Sequence, residues 1–143
     1  MTIQWPSFYP LNCPPTDALP AELTVDIYLK NIPPTDNDFN CKCQREKKAP
    51  DSYGDFGCQA CGLSVYAQLA DIKNAQHVIP GMNKKYIAAI ELTASCGQIK
   101  HTPTTDQPDE LGYTHHTWWS PNAFNFQSLK VDKVGERLLE PKK

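Results

Sequence analysis

Apolar and polar residues alternate most cleanly at Leu23, Val25, Ile27 and Leu29, with Thr24, Asp26, Tyr28 and Lys30 between them. A period of two puts successive side chains on opposite faces, so 23–29 is expected to form a half-buried strand. Asn31-Ile32-Pro33-Pro34 ends it, because proline cannot donate to a ladder. From 65 to 79 the period changes. Val65, Leu69, Ile72 and Ile79 recur at helical spacings, with Ser64 as N-cap and Pro80-Gly81 as the stop. The polar side of this main helix, Gln68, Asp71, Lys73 and Asn74, is expected to meet solvent. Further strands are expected over 85–93 and 98–102, joined as a hairpin through Ala94-Ser95-Cys96-Gly97, then over 113–119 and 126–134. The charged end from Gly135 onward is expected to fray. The pattern predicts a single α+β domain, a largely antiparallel sheet of about five strands with one main helix.

Two stretches lack periodicity. Residues 1–20 combine Pro6, Pro10, Pro14, Pro15 and Pro20 with Trp5, Phe8, Tyr9 and Leu11. Proline excludes a helix or an inner strand there. This arm, preceding a domain over 21–143, is expected to lie extended with its rings covering an apolar groove, or to grip a partner protein. Residues 34–57 are dominated by Asp, Asn, Pro, Gly and Lys and read as an irregular excursion. Lys42, Arg45, Lys47 and Lys48 crowd one part of it, but Glu46, Asp51 and Asp55 dilute them, so a solvated loop is the plainer reading.

The chain has 143 residues, 40% of them hydrophobic, and a net charge of −2, which fits an ordinary folded domain. That charge argues against non-specific coating of nucleic acid. No apolar run approaches the roughly 18 residues of a membrane span. The opening MTIQWPSFYPLNCPP lacks a basic region followed by an apolar core, so no signal peptide is expected. A cytoplasmic location with reduced thiols follows as the expectation.

Six cysteines therefore ask for a reason other than disulfides. Cys41-Lys42-Cys43 and Cys58-Gln59-Ala60-Cys61-Gly62 bracket the loop 44–57, and the second half has the look of a zinc knuckle. A structural zinc on Cys41, Cys43, Cys58 and Cys61 is one reading, with Cys13 or Cys96 as substitute ligands. On an extended chain, however, Cys41 and Cys43 point to opposite sides, so a local turn is required. Buried thiols acting as small apolar fillers are the plainer reading. Cys61, just before the expected helix start, is a third possibility as an activated nucleophile.

The densest chemistry lies at Tyr113-Thr114-His115-His116-Thr117-Trp118-Trp119. On a strand, Tyr113, His115, Thr117 and Trp119 share one face, and Thr114, His116 and Trp118 share the other. If 99–102 pairs antiparallel with this strand, His101 lands opposite about residue 115, with Cβ atoms roughly 5 Å apart. His115 and His101, with His116 as the alternative, are candidate general acid and base, Thr117 a positioning group, and Trp119 a stacking surface. Tyr113, Trp118 and Ser64 complete the candidate ligand-binding set. Two histidines with Glu91 or Asp109 form a candidate metal set. The plainer reading is a strand with hydrogen-bonded His and Thr and with tryptophans in the core. His77, near a helix C-terminus, is read as dipole-favourable only.

The blocks Asp38-Phe39, Cys58-Gln59-Ala60-Cys61-Gly62-Leu63-Ser64-Val65 and His115-His116-Thr117-Trp118-Trp119 resemble those of a family of small bacterial proteins with no assigned activity. The strand–helix–hairpin outline is also similar to ribonuclease toxins and ADP-ribosyltransferase effectors. The Arg or His that the transferase outline asks for on the first strand is absent at Tyr28-Leu29-Lys30. The expected function is a small enzyme-like domain acting on a nucleotide, RNA or NAD-like substrate through the His/Thr/Trp strand. The alternative is a non-catalytic protein-binding module, stabilised by a structural zinc or by thiol packing, whose aromatic strand or proline-rich arm grips a partner.

Overall fold

The computed structural model describes residues 3–31, 33–105, 107, 110 and 112–133. Its strands are β1 (Leu19–Pro20), β2 (Thr24–Leu29), β3 (Leu63–Tyr66), β4 (Tyr86–Glu91), β5 (Gln98–His101), β6 (His115–Trp119) and β7 (Val131–Lys133). They form one sheet in the order β1-β5-β6-β3-β2-β4-β7, and every pairing is antiparallel. The helices are α1 (Lys42–Glu46), α2 (Gly57–Cys61) and α3 (Leu69–Val78), with short 3₁₀ turns between elements. This is the expected α+β domain, with seven strands among the described residues in place of five.

The alternation in β2 does what it implies. Val25, Ile27 and Leu29 are at most 3% exposed and join Val65, Ala88, Ile90, Ile99 and Trp118 in the main core on one face. Phe39 and Phe126 stack over that face with ring centroids 4.7 Å apart. On the other face Tyr28, Tyr66 and Ile87 pack against Ile72 and Ala75 of α3. Farther along it, Trp119 packs among Cys13, Cys41, Cys43 and Cys61. Both faces are therefore covered, and both tryptophans are core: Trp118 is 0% and Trp119 1% exposed.

Several expected elements are displaced. The main helix starts at Leu69, and Leu63–Tyr66 is a strand paired with β6. Ser64 is therefore a strand residue and not an N-cap. β-branched Val65 and aromatic Tyr66 suit a strand between two partners better than a helix start. Asp71 is buried, not solvated. The 85–93/98–102 hairpin does not form, since β4 pairs with β2 and β7 whereas β5 pairs with β1 and β6. Gly97 turns the chain away with φ +114°, and a Cβ there would meet the Trp119 carbonyl oxygen at 2.1 Å. Phe126–Ser128 is a 3₁₀ turn preceding a shorter last strand. The expected extension to Val134 and the charged end beyond it lie outside the described residues. The irregular excursion contains α1 and α2. The arm is not extended but a run of turns, with the Tyr9, Cys13 and Ala18 N–H groups donating to the carbonyls of Pro6, Pro10 and Pro15. It packs Trp5 and Tyr9 against the cysteine cluster, while Leu11 is exposed. No helix among the described residues is long and apolar enough to cross a membrane.

Candidate functional site

The sheet is open at its middle. β2 makes six ladder pairs with β4 but meets β3 at one, Asp26↔Tyr66. Beyond that pair no further ladder pair joins the two strands, and Asp38, Asn40 and Arg45 line a space beside them. The resulting cavity of about 280 Å³ is lined by Tyr28 on β2, Ser64 and Tyr66 on β3, His115 on β6, and Arg45 and Lys85. A second cavity of about 410 Å³ shares Tyr28, Asp38, Arg45 and Lys85 with the first and adds Lys30 and Lys84. Together they make one groove of the size that takes a small ligand.

His115 is one of the polar side chains that line the smaller cavity, and it is 6% exposed. Its Nδ1 lies 2.8 Å from the Thr102 carbonyl oxygen and 3.0 Å from Thr102 Oγ1. A carbonyl oxygen only accepts, so Nδ1 carries the proton and Nε2 is left as the basic nitrogen. Thr102 Oγ1 also lies 2.8 Å from Thr117 Oγ1, which ties the threonine pair to the ring. The edge of the ring meets Tyr66 at a centroid distance of 5.3 Å. Burial, with like charge from His116 and His101, holds the His115 imidazole below its ordinary value despite the Thr102 bond and the nearby Asp71. Burial does the same to His116. A histidine whose folded value is depressed stabilises the fold fully above about pH 6.5, and that contribution is lost as pH falls below it. The urea midpoint of the wild type is therefore expected to drop between pH 7 and pH 5. His115→Asn should flatten that drop, and an unchanged slope would show that the ring does not titrate with unfolding.

The outer wall is cationic. Among the described residues no ion pair engages Arg45 or Lys85; the pair that forms joins Lys100 to Asp17 at 3.0 Å. Burial, together with Arg45 and Lys30, pushes the Lys85 ammonium below its usual value. Asp38 faces the same groove, but its oxygens accept bonds from Lys30 N (2.7 Å), Thr35 N (2.8 Å) and the Asn31 amide. Although burial opposes it, these bonds hold the carboxyl below its ordinary range. Asp38 thus builds the loop and does not offset the cations through a direct pair.

The expected strand site divides between two faces. His101 stands opposite His116, not residue 115, and their ring centroids are 4.9 Å apart on the face that carries Trp118. His101 Nε2 also contacts the Tyr113 carbonyl, and the two rings meet edge to face at 5.2 Å. His115 and Thr117 lie on the opposite face, so His101 and His115 do not share a site. Thr117 is 1% exposed and bonded to Thr102, which leaves it structural. Neither Trp118 nor Trp119 offers a stacking surface: their Nε1 groups donate to the carbonyls of Cys96 (2.8 Å) and Cys58 (2.9 Å). Ser64 does face the groove. Tyr28, Tyr66, Arg45 and Lys85 were missed because they come from separate segments. The one sequence signal for Arg45 was the basic cluster read as a solvated loop.

Cys13 and Cys58 form a disulfide, so the set Cys41, Cys43, Cys58, Cys61 is not present as four thiols. The turn that the Cys41–Cys43 spacing requires is supplied by α1, which Cys41 precedes and whose first turn contains Cys43. Cys41, Cys43, Cys61 and Cys96 are free and buried. Burial first, then the fields of Cys43 and Cys41, push the Cys61 thiol well above its ordinary value, the reverse of an activated nucleophile. Among the described residues no group of three or more His, Cys, Asp or Glu side chains is placed to hold a metal ion. Asp109, considered with the histidines, lies outside those residues. Comparison with family models, curated proteins and solved structures gives no match.

Proposed function

We propose that this chain is an enzyme-like domain that takes a nucleotide, RNA or NAD-like substrate in the groove between β2 and β3, with His115 as its proton-transfer group. One observation carries the reading: a parted sheet sets a histidine whose Nδ1 is held by the Thr102 carbonyl in one cavity with tyrosine rings and with Arg45 and Lys85, which no ion pair engages among the described residues. Tyr28 and Tyr66 take over the stacking role expected of the tryptophans. Arg45 and Lys85 suit the phosphate or diphosphate of such a ligand, and guanidinium in particular can hold it by two bonds. Ser64 supplies a hydroxyl at the ribose or scissile-bond position, and His115, neutral at pH 7, can accept a proton there.

Titration calorimetry with NAD, ADP-ribose, adenosine and a short RNA oligomer tests this. At least one phosphate-bearing ligand should bind saturably. Arg45→Ala with Lys85→Ala should weaken it by more than about tenfold, the loss expected when charge-assisted hydrogen bonds go. Adenosine should be little affected. His115→Asn should keep binding but slow any turnover by roughly 10²- to 10⁴-fold. No saturable binding by any of these ligands, or binding indifferent to Arg45 and Lys85, would sink the reading.

A further inference from the structure

Resting on the groove's proposed role, we infer that its ligand is a mononucleotide with a run of terminal phosphates, whose outer phosphates lie in the larger cavity. Such a ligand is a nucleoside di- or triphosphate. The two cavities differ in what lines them. Arg45 and Lys85 line both, whereas Lys30 and Lys84 line the larger alone. The amides of Asn31 and Asn37 join them there.

The four cations come from three segments: Lys30 follows β2, Arg45 lies in α1, and Lys84 and Lys85 precede β4. Among the described residues no ion pair engages any of them. The single acid lining the larger cavity, Asp38, is turned to the loop, where Lys30 N, Thr35 N and the Asn31 amide bond its oxygens. Four like charges around one cavity repel one another unless an anion offsets them, and the net charge of the chain is −2. Ammonium, guanidinium and amide donors together suit the oxygens of more than one phosphate.

A dinucleotide fits less well. The smaller cavity offers the rings of Tyr28 and Tyr66 to a base. Among the described residues that line the larger cavity, Tyr28 is the single aromatic ring, and it is shared with the smaller one. Its hydroxyl donates to the Ile72 carbonyl at 2.7 Å, which holds the ring where the two cavities share it. A second nucleoside would therefore meet ammonium groups and amides where it needs a stacking face. Outer phosphates would meet cations instead. Terminal phosphates also carry more negative charge than the internal diphosphate of a dinucleotide.

Titration calorimetry with AMP, ADP, ATP, NAD and inorganic tripolyphosphate tests this, at low salt and with EDTA so that no metal bridges the phosphates. ATP should bind at least about tenfold tighter than AMP or NAD, with ADP between, as expected when charge-assisted bonds are added. Tripolyphosphate, which lacks the nucleoside, should bind more weakly than ATP. Lys30→Gln with Lys84→Gln should remove most of the advantage of ATP and leave AMP within about twofold. Both lysines are exposed, so the fold should tolerate the change. Lys48→Gln with Lys73→Gln removes the same charge from exposed positions that line neither cavity, and should leave the ATP advantage in place. The inference falls if NAD or tripolyphosphate binds as tightly as ATP, or if the Lys30 and Lys84 pair weakens AMP and ATP alike. It falls equally if the Lys48 and Lys73 pair acts as strongly. NAD or AMP binding that needs Arg45 and Lys85, without any gain from added phosphates, would overturn it and leave the wider reading standing. No saturable binding by any of the nucleotides ends both.

Discussion

Trp118→Ala is expected to cost about 4 kcal/mol, near the upper range for truncating a buried ring. The side chain is 0% exposed at the centre of the main core. Phe124 and Phe126 meet it edge to face at 6.2 and 6.1 Å, and its Nε1 donates to the Cys96 carbonyl at 2.8 Å. Alanine leaves a large void and an unpaired buried carbonyl together. A domain of this size is typically stable by only 5–15 kcal/mol, so a large share of the margin goes. Urea unfolding at pH 7 measures it. Trp118→Phe, which keeps most of the ring volume but loses the donor, should fall between the two. A loss below about 1 kcal/mol for alanine would mean that the sheet does not pack around this residue.

Asp71→Ala is expected to cost about 3 kcal/mol and to loosen the turn that delivers His115 to the groove. The carboxylate accepts from Gly112 N (2.7 Å), Thr114 N (2.9 Å) and Thr114 Oγ1 (2.6 Å), while being only 8% exposed. Bonds to a charged acceptor contribute roughly 1.5–3 kcal/mol each, but three at one turn are not additive, since water can enter once the acceptor is gone. Burial raises the Asp71 carboxyl, yet these bonds and nearby His115 outweigh it and hold the value low. A depressed carboxyl stabilises the fold above about pH 4 and loses that contribution as pH falls further. Asp71→Ala should therefore be less acid-sensitive than the wild type below pH 4, as well as weaker at pH 7. Urea midpoints at the two pH values check both parts. An unchanged midpoint at pH 7 would show that the turn holds itself.

The difference between these two residues marks how far the chain can be read in one dimension. Trp118 belongs to a strand that the sequence placed at 113–119, and its burial follows once both sheet faces are covered. Asp71 was placed on the solvent side of its helix by period alone. What buries it is the turn at 112–114, some forty positions away, whose amides need an acceptor. The same reason hid the groove. Tyr28, Ser64, Arg45 and Lys85 carry no shared spacing, and they meet only because β2 and β3 separate after one ladder pair.

The cysteines make the same point from another side. Their spacings marked them as a group, and the fold does gather five of them. Yet no spacing shows that the arm brings Cys13 onto Cys58. Likewise the exact partner of His101 depended on a register that one residue's slip would change, moving every side chain to the other face.

By itself, then, the order of residues determined where strands alternate, where proline and glycine stop them, and that one α+β domain would result. Those are short-range matters, set by backbone sterics and by the period at which apolar groups recur. Strand order, the pairing of β3 with β6, the parting of the sheet and the face on which each histidine stands were decided only in three dimensions. Burial free energy belongs to the packed whole, and many local patterns can satisfy it until distant segments choose among them.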